Sequence, residues 1–180
     1  MTISLPFKES ILVFEVNNPV ERYRIADFGD EKECLEQFVF AIQPDDVVFD
    51  VGASVGLMTV YAASAAFKGR VFAFEPDPET MRRLRRNVLL NSLSNVELLP
   101  WVLSDRKEEV TLYTDGAGGA GLSHGRNSRP IVYDDRQVRT RAQLGRYGTN
   151  VAKWGSRFFS VSDVNGVRCG KKIGVDRHHR

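Results

Sequence analysis

Residues 47–56 read VVFDVGASVG, and residues 71–76, about twenty positions further on, read VFAFEP. Each stretch is an apolar run that reaches an acid, Asp50 in the first and Glu75 in the second. Runs this apolar suit strands buried on both faces of a parallel sheet. Between them lie a turn containing Gly52 and Gly56 and then a helical segment. Strand, glycine turn, helix and acid-tipped strand together describe a Rossmann-like nucleotide pocket. The glycines let backbone come close to a ligand, and the helix N-terminus offers free N–H groups. An acid at the tip of the second strand, here Glu75, accepts the hydroxyls of a ribose.

The spacing narrows the nucleotide. Dinucleotide sites use G-x-G-x-x-G, whose second glycine makes room for a pyrophosphate. Here Ser54 stands at that position and the pattern is D-x-G-x-x-x-G. The Asp50 carboxylate ahead of the turn would repel a pyrophosphate, which disfavours a nicotinamide-dependent oxidoreductase. The pattern resembles motif I of class I S-adenosylmethionine-dependent methyltransferases. Their ligand carries an amino-acid head, whose ammonium can be held by groups near the turn.

Outward from this centre, residues 3–28 read as extended. Short apolar or alternating runs in ISLPF, ILVFEV and VERYRIA, with a turn around Asn17, Asn18 and Pro19, predict a hairpin segment over 1–29. Residues 30–41 read as a helix, with Cys34, Leu35, Phe38 and Val39 at helical spacing. Residues 55–66 form the next, lined by Leu57, Met58, Val60, Tyr61 and Ala63. Asp77 as N-cap and Pro78 at the first helical position open a third over 78–90. Its apolar stripe is Met81, Leu84 and Val88, with Leu89 as a further candidate, and Arg82, Arg83, Arg85 and Arg86 form a solvated face. Residues 96–99 and 110–114 read as further strands. This order predicts an α/β fold with a doubly wound, mostly parallel sheet over 30–115, incomplete toward the C-terminal end.

Residues 33–115 resemble the FkbM family of S-adenosylmethionine-dependent methyltransferases. The likeness is carried by residues 46–56 (DVVFDVGASVG) and 71–78 (VFAFEPDP). It continues in Leu84, Asn87, Leu90, Asn91, Asn95, Val96, residues 102–105 (VLSD) and residues 110–112 (VTL). The resemblance implies S-adenosyl-L-methionine as cofactor and methyl transfer to a hydroxyl of a small molecule, sugar or glycan. It also implies that Asp50, Gly52 and Gly56 shape the cofactor's methionine end, with Ala53 in the same cofactor-binding set. Glu75 would bind the ribose, Pro76 and Asp77 would flank the adenine, and residues 99–103 with Trp101 would cover it. Trp101 reads equally well as core, Asp50 as a cap of the turn, and Asn87 and Asn91 as partners of turn backbone. No catalytic residue and no metal ligand is assigned. The family's Lys-Ile-Asp-x-Glu-Gly block finds no counterpart after Thr114, where Lys172, Ile173 and Asp176 share its residues at the wrong spacing.

At 180 residues the chain suits one domain. No apolar run approaches the ~20 residues of a membrane span, and the start lacks a signal-peptide stretch. Cys34 and Cys169 are far apart, with no cluster of metal-ligand type, so a cytoplasmic protein with free thiols is expected. Cys34 reads as helix packing.

Charge divides the chain. Residues 1–115 hold 12 Lys and Arg against 19 Asp and Glu, whereas residues 116–180 hold 13 against 4. His124, His178 and His179 all fall in the basic part, which is rich in Gly, Ser and Arg. Residues 116–180 are therefore expected to be a divergent tail of low order, with FFSVSDV and VRCGKKIGV as short strand candidates. The shift also suggests a truncated or frameshifted end and a chain with little activity by itself. The basic part and the arginine helix keep a nucleic-acid-binding module or RNA methyltransferase as the alternative. Few aromatics lie among the basic residues and no RNA or DNA motif is present, which disfavours nucleic acid as a partner. Nothing in the sequence bears on oligomeric state.

Overall fold

The computed structural model describes residues 1–27, 32–104, 108–114, 120–121, 129–140 and 157–160. Strands β1 (Thr2–Phe7) and β2 (Ser10–Glu15) form an antiparallel hairpin. Its turn lies at Lys8 and Glu9, with Lys8 in the left-handed region at φ 53°, not at Asn17, Asn18 and Pro19.

The segment VERYRIA, expected to be extended, is instead helix α1 (Pro19–Ala26). The reason is local. Asn18 Oδ1 accepts the Glu21 N–H at 2.9 Å, and the Glu21 carboxylate reaches back to the Asn17 N–H at 2.7 Å. This reciprocal arrangement works like a capping box, and Pro19 has no N–H to leave unpaired.

Helix α2 (Lys32–Ala41) follows, and then the predicted centre: β3 (Val47–Val51), α3 (Leu57–Ala65), β4 (Arg70–Phe74), α4 (Pro78–Leu90) and β5 (Val96–Leu99). After it come β6 (Val102–Ser104), β7 (Val110–Thr114), β8 (Ala120–Gly121), β9 (Arg129–Tyr133), β10 (Val138–Thr140) and β11 (Arg157–Ser160). The main sheet has four parallel strands in the order β11-β3-β4-β5. Strand β11 supplies a partner for β3 from within FFSVSDV, in the part of the chain where little structure was expected. Strand β7 pairs antiparallel with β8 and β9, and β6 pairs parallel with β10.

Strand alternation sorts the core. Val48, Val71 and Ala73 are fully buried and pack with the hairpin, α2, α3 and α4. Phe49, Phe72 and Phe74 point the other way and stack, with ring centroids 5.2 and 6.3 Å apart, beside Trp101 and Leu103. Each such buried phenylalanine contributes about 1.5–3 kcal/mol.

The hairpin is fastened to α4 by polar groups. Asn91 accepts the Val13 N–H at 2.8 Å and donates to the Val13 carbonyl at 2.7 Å, as a neighbouring strand would. The exposed edge of β2 is thereby paired. Asn87 accepts the Glu15 N–H at 2.7 Å and donates to the Val55 carbonyl at 2.8 Å, tying β2 to the glycine turn. The two asparagines therefore serve strand and turn backbone across the fold. Arg83 is not on a solvated face as expected: its side chain is 16% exposed and pairs with the fully buried Glu21.

Among the described residues no helix is long and apolar enough to cross a membrane, and no group of three or more His, Cys, Asp or Glu gathers for a metal. The expectations for Asp105, His124, Cys169, Lys172, Ile173, Asp176, His178 and His179 fall outside the described residues, as does the Cys34 side chain.

Candidate functional site

The chain runs from β3 to β4 to β5 in one direction and places β11 on the opposite side of β3. Strand order thus reverses at β3. In open α/β sheets, ligands lie in the crevice beyond the carboxyl ends of the strands at such a reversal. Asp50, residues 52–56 and Glu75 all stand there.

The turn after β3 is shaped by three left-handed residues, Gly52 (φ 77°), Ser54 (φ 51°) and Gly56 (φ 94°). Gly56 has a second reason to be glycine: a Cβ there would lie 2.5 Å from Leu84 Cδ1 on α4. Ala53 is buried against α4, and Gly52 is exposed.

The free amides expected of this turn are largely engaged. Gly52 and Ala53 donate to the Phe74 carbonyl at 2.9 and 3.0 Å, and Gly56 donates to Ala53 at 2.9 Å. Ser54 N–H donates to Glu75 Oε2 at 2.9 Å.

The two acids differ. Asp50 is 2% exposed and accepts hydrogen bonds from the Thr59 hydroxyl and the Thr59 N–H. Gly56, the N-cap of α3, has no side chain with which to cap, so Asp50 caps the helix from β3. Burial raises its pKa to about 6, and the Thr59 bonds oppose that rise. Glu75 joins the turn to the start of α4: Oε2 accepts from Ser54 and Oε1 accepts the Asp77 N–H at 2.9 Å. Burial raises Glu75 to about 7, against the two N–H bonds and with help from the charges of Asp77 and Asp50. Each oxygen holds one N–H and keeps a lone pair for another donor.

Pro76 is half-buried between these groups. Asp77 is buried and caps α4, accepting the Thr80 N–H at 2.7 Å. Trp101 lies 6.5 Å from Phe74, tilted by 43°, and the Arg139 guanidinium sits 4.6 Å over its ring. It is first of all an edge of the phenylalanine layer.

Sequence reasoning missed three features here. Arg24 on α1 donates to Ser54 Oγ at 3.3 Å, which brings a cation to the turn. No sequence signal marks it, because α1 itself was read as a strand. Tyr133, at the end of β9, is buried and senses the charges of Asp77 and Glu75. Ser160, at the end of β11, stands opposite Val51. The sequence beyond it, VSDVNG over 161–166, has Asp163 and Gly166 at the spacing of the Asp and Gly in Lys-Ile-Asp-x-Glu-Gly. The apolar pair Phe158 and Phe159 was the available signal for that strand.

No family model matches the chain. It is similar to the hexuronic acid methyltransferase AglP of Haloferax volcanii, 36% identical over 74 residues, which span 41% of this chain and 30% of AglP. It is also similar to the AMB antimetabolite synthetase AmbE of Pseudomonas aeruginosa, 38% identical over 110 residues, which span 58% of this chain and 5% of AmbE. The chain thus spans under a third of either relative's length. Among solved structures it is similar to M. jannaschii TYW2 in complex with AdoMet, at 19% identity and a TM-score of 0.40, covering 59% of this chain and 46% of that one.

Proposed function

We propose that this chain carries the cofactor-binding half of an S-adenosylmethionine-dependent methyltransferase of FkbM type, acting on a hydroxyl of a small molecule or glycan. The observation that carries the reading is Glu75: a buried carboxylate at the tip of β4, held by the Ser54 and Asp77 amides, beside a left-handed glycine turn at the point where strand order reverses. Its remaining lone pairs are suited to two vicinal ribose hydroxyls. The likeness to AglP, a hexuronic acid methyltransferase, supports a sugar-type acceptor.

The residues fit the group. Glu75 accepts from the ribose, Arg24 beside Ser54 meets the carboxylate of the amino-acid head, and Gly52 gives that head room. Asp50 supports the turn from beneath. When bound, S-adenosylmethionine supplies an electrophilic methyl group. The chain's part is mostly positioning, holding that end in line with an acceptor oxygen. Asp163, beyond β11 in sequence, is our candidate for the acceptor side, where a hydroxyl benefits from a general base. The nucleic-acid alternative gains nothing from α4, where Arg82, Arg83 and Arg86 pair with Glu79, Glu21 and Glu15.

Isothermal titration with S-adenosylhomocysteine tests the reading. Binding is expected, weakened about tenfold or more in Glu75→Ala through loss of charged hydrogen bonds. A folded protein that takes up no ligand would overturn it.

A further inference from the structure

Of the three left-handed residues in the turn after β3, Ser54 is the one that carries a side chain. At φ 51° it occupies a region that glycine enters freely and serine seldom does. Glycine would suit this backbone better, so the hydroxyl calls for an explanation beyond the turn itself. Ser54 makes two ties. Its N–H donates to Glu75 Oε2 at 2.9 Å, and its Oγ accepts from Arg24 Nη1 at 3.3 Å. One residue thus touches both the acid at the tip of β4 and a cation on α1, which stand at most about 10 Å apart across it. Arg24 and Ser54 are half-buried and Gly52, two residues earlier, is exposed, so the turn opens to solvent here.

We propose that Ser54 is a positioning residue that makes this site select nucleosides bearing a carboxylate. Its hydroxyl aims Arg24 at that carboxylate while its N–H holds the ribose acid, so both ends of the cofactor are set through one residue. The inference rests on the S-adenosylmethionine reading and adds what fixes Arg24 within it. A hydroxyl accepts from a guanidinium without neutralising it, so this bond directs the group and does not cancel its charge. A guanidinium presents a flat fork of donors that matches a carboxylate once its plane is held. Without an anchor the long side chain would have to give up its rotamer freedom on binding. The ribose hydroxyls and the carboxylate of an aminocarboxypropyl nucleoside lie about as far apart as Glu75 and Arg24. A nucleoside that ends at a short 5′ substituent reaches only the acid. Removing the hydroxyl should therefore act on one end of the ligand. A serine that served only the turn would act on both ends, through Glu75.

The test is Ser54→Ala, which keeps the N–H to Glu75 and removes the hydroxyl. Isothermal titration of the full chain with S-adenosylhomocysteine and with 5′-methylthioadenosine reads the two ends separately. Wild type should bind S-adenosylhomocysteine about tenfold or more the tighter of the two. Ser54→Ala should lose about three- to tenfold in affinity for S-adenosylhomocysteine and less than about twofold for 5′-methylthioadenosine. Arg24→Leu should lose about tenfold or more for the first ligand alone. The double variant should be no weaker than Arg24→Leu, because the hydroxyl acts through the guanidinium. Ser54→Gly, which suits the left-handed backbone, should repeat the pattern of Ser54→Ala in a protein that melts no lower than wild type. Equal losses for the two ligands would overturn the assignment and leave Ser54 a support of the turn. So would unchanged affinity for S-adenosylhomocysteine, or additive losses in the double variant. A wild type that binds both ligands alike would keep the nucleoside reading and remove the selectivity. A wild type that binds neither would overturn that reading and this inference with it.

Discussion

The seam between the hairpin and α4 and the crescent of strand ends at the glycine turn treat buried polar groups in opposite ways. In the seam the buried groups are matched. Asn87 and Asn91 use both ends of their amides on β2, Val55 and α4, and Glu21 holds both the Asn17 N–H and Arg83. In the crescent, Glu75 is buried with accepting capacity to spare, and the Tyr133 hydroxyl has no hydrogen-bond partner among the described residues. Matched polar groups hold elements in register, and under-used ones lose stability that a ligand can restore. Stability should therefore be sensitive to the seam, and ligand binding to the crescent.

The largest expected effect is in the seam. Arg83→Leu removes the partner of a fully buried carboxylate, and leaving such a charge uncompensated costs about 3–5 kcal/mol. Chemical denaturation should show that loss, while Arg82→Leu, at a side chain 71% exposed and paired with Glu79, should change stability by about 1 kcal/mol or less. Equal losses in the two variants would erase the distinction between a seam and an ordinary charged helix face.

The crescent predicts a pH dependence of the free protein. Glu75 lies near 7 in the fold against 4.5 ordinarily, and Asp50 near 6 against 3.8. Over those windows the folded state keeps protons that the unfolded chain has released, so stability falls as pH rises through them. The stabilising contribution is fully present below the ordinary values and is lost once pH passes the raised ones. At ~1.4 kcal/mol per pKa unit, Glu75 alone gives a change on the order of 3 kcal/mol. Unfolding free energies measured from about pH 4 to 8 should show this slope, and Glu75→Gln should flatten about half of it, leaving the part due to Asp50. A flat wild-type profile would mean that the carboxylate is better satisfied than its surroundings indicate.

The same contrast explains what the sequence could reveal. Strands β3 and β4, the glycine turn and Glu75 are legible because doubly buried parallel strands concentrate apolar residues, and because acid and glycines sit at fixed offsets from them. Strand β11 is legible only in part: FFSVSDV marks a strand candidate, but Arg157–Ser160 bring only two phenylalanines, and the strand's place is fixed by pairing with residues 48–51. Arg24 and Tyr133 are equally silent. Each is tied to the turn or its acids only through residues far along the chain, Ser54 for one and the charges of Asp77 and Glu75 for the other. Gly56 carries a packing constraint that its motif position does not announce, since a Cβ there would lie 2.5 Å from Leu84 Cδ1.

Helix α1 was lost for a related reason, and it yields the smallest effect and the finest division of the comparison. Asn17, Asn18 and Pro19 read equally as a hairpin turn and as a helix start, since both use an Asn side chain to satisfy backbone and a Pro to fix φ. What decides is Glu21, which closes the cap locally and meets Arg83 across the fold. Asn18→Ala removes the bond to the Glu21 N–H and leaves the ion pair, so it should cost about 1 kcal/mol by denaturation. Ligand affinity should fall only if α1 also sets Arg24 on Ser54, because the cap lies one and a half turns before that arginine. A stability loss with unchanged affinity for S-adenosylhomocysteine would assign α1 to the seam alone. A loss of both would make it the element through which seam and crescent are joined. No change in stability would show that the tie to Arg83 holds the helix without its cap.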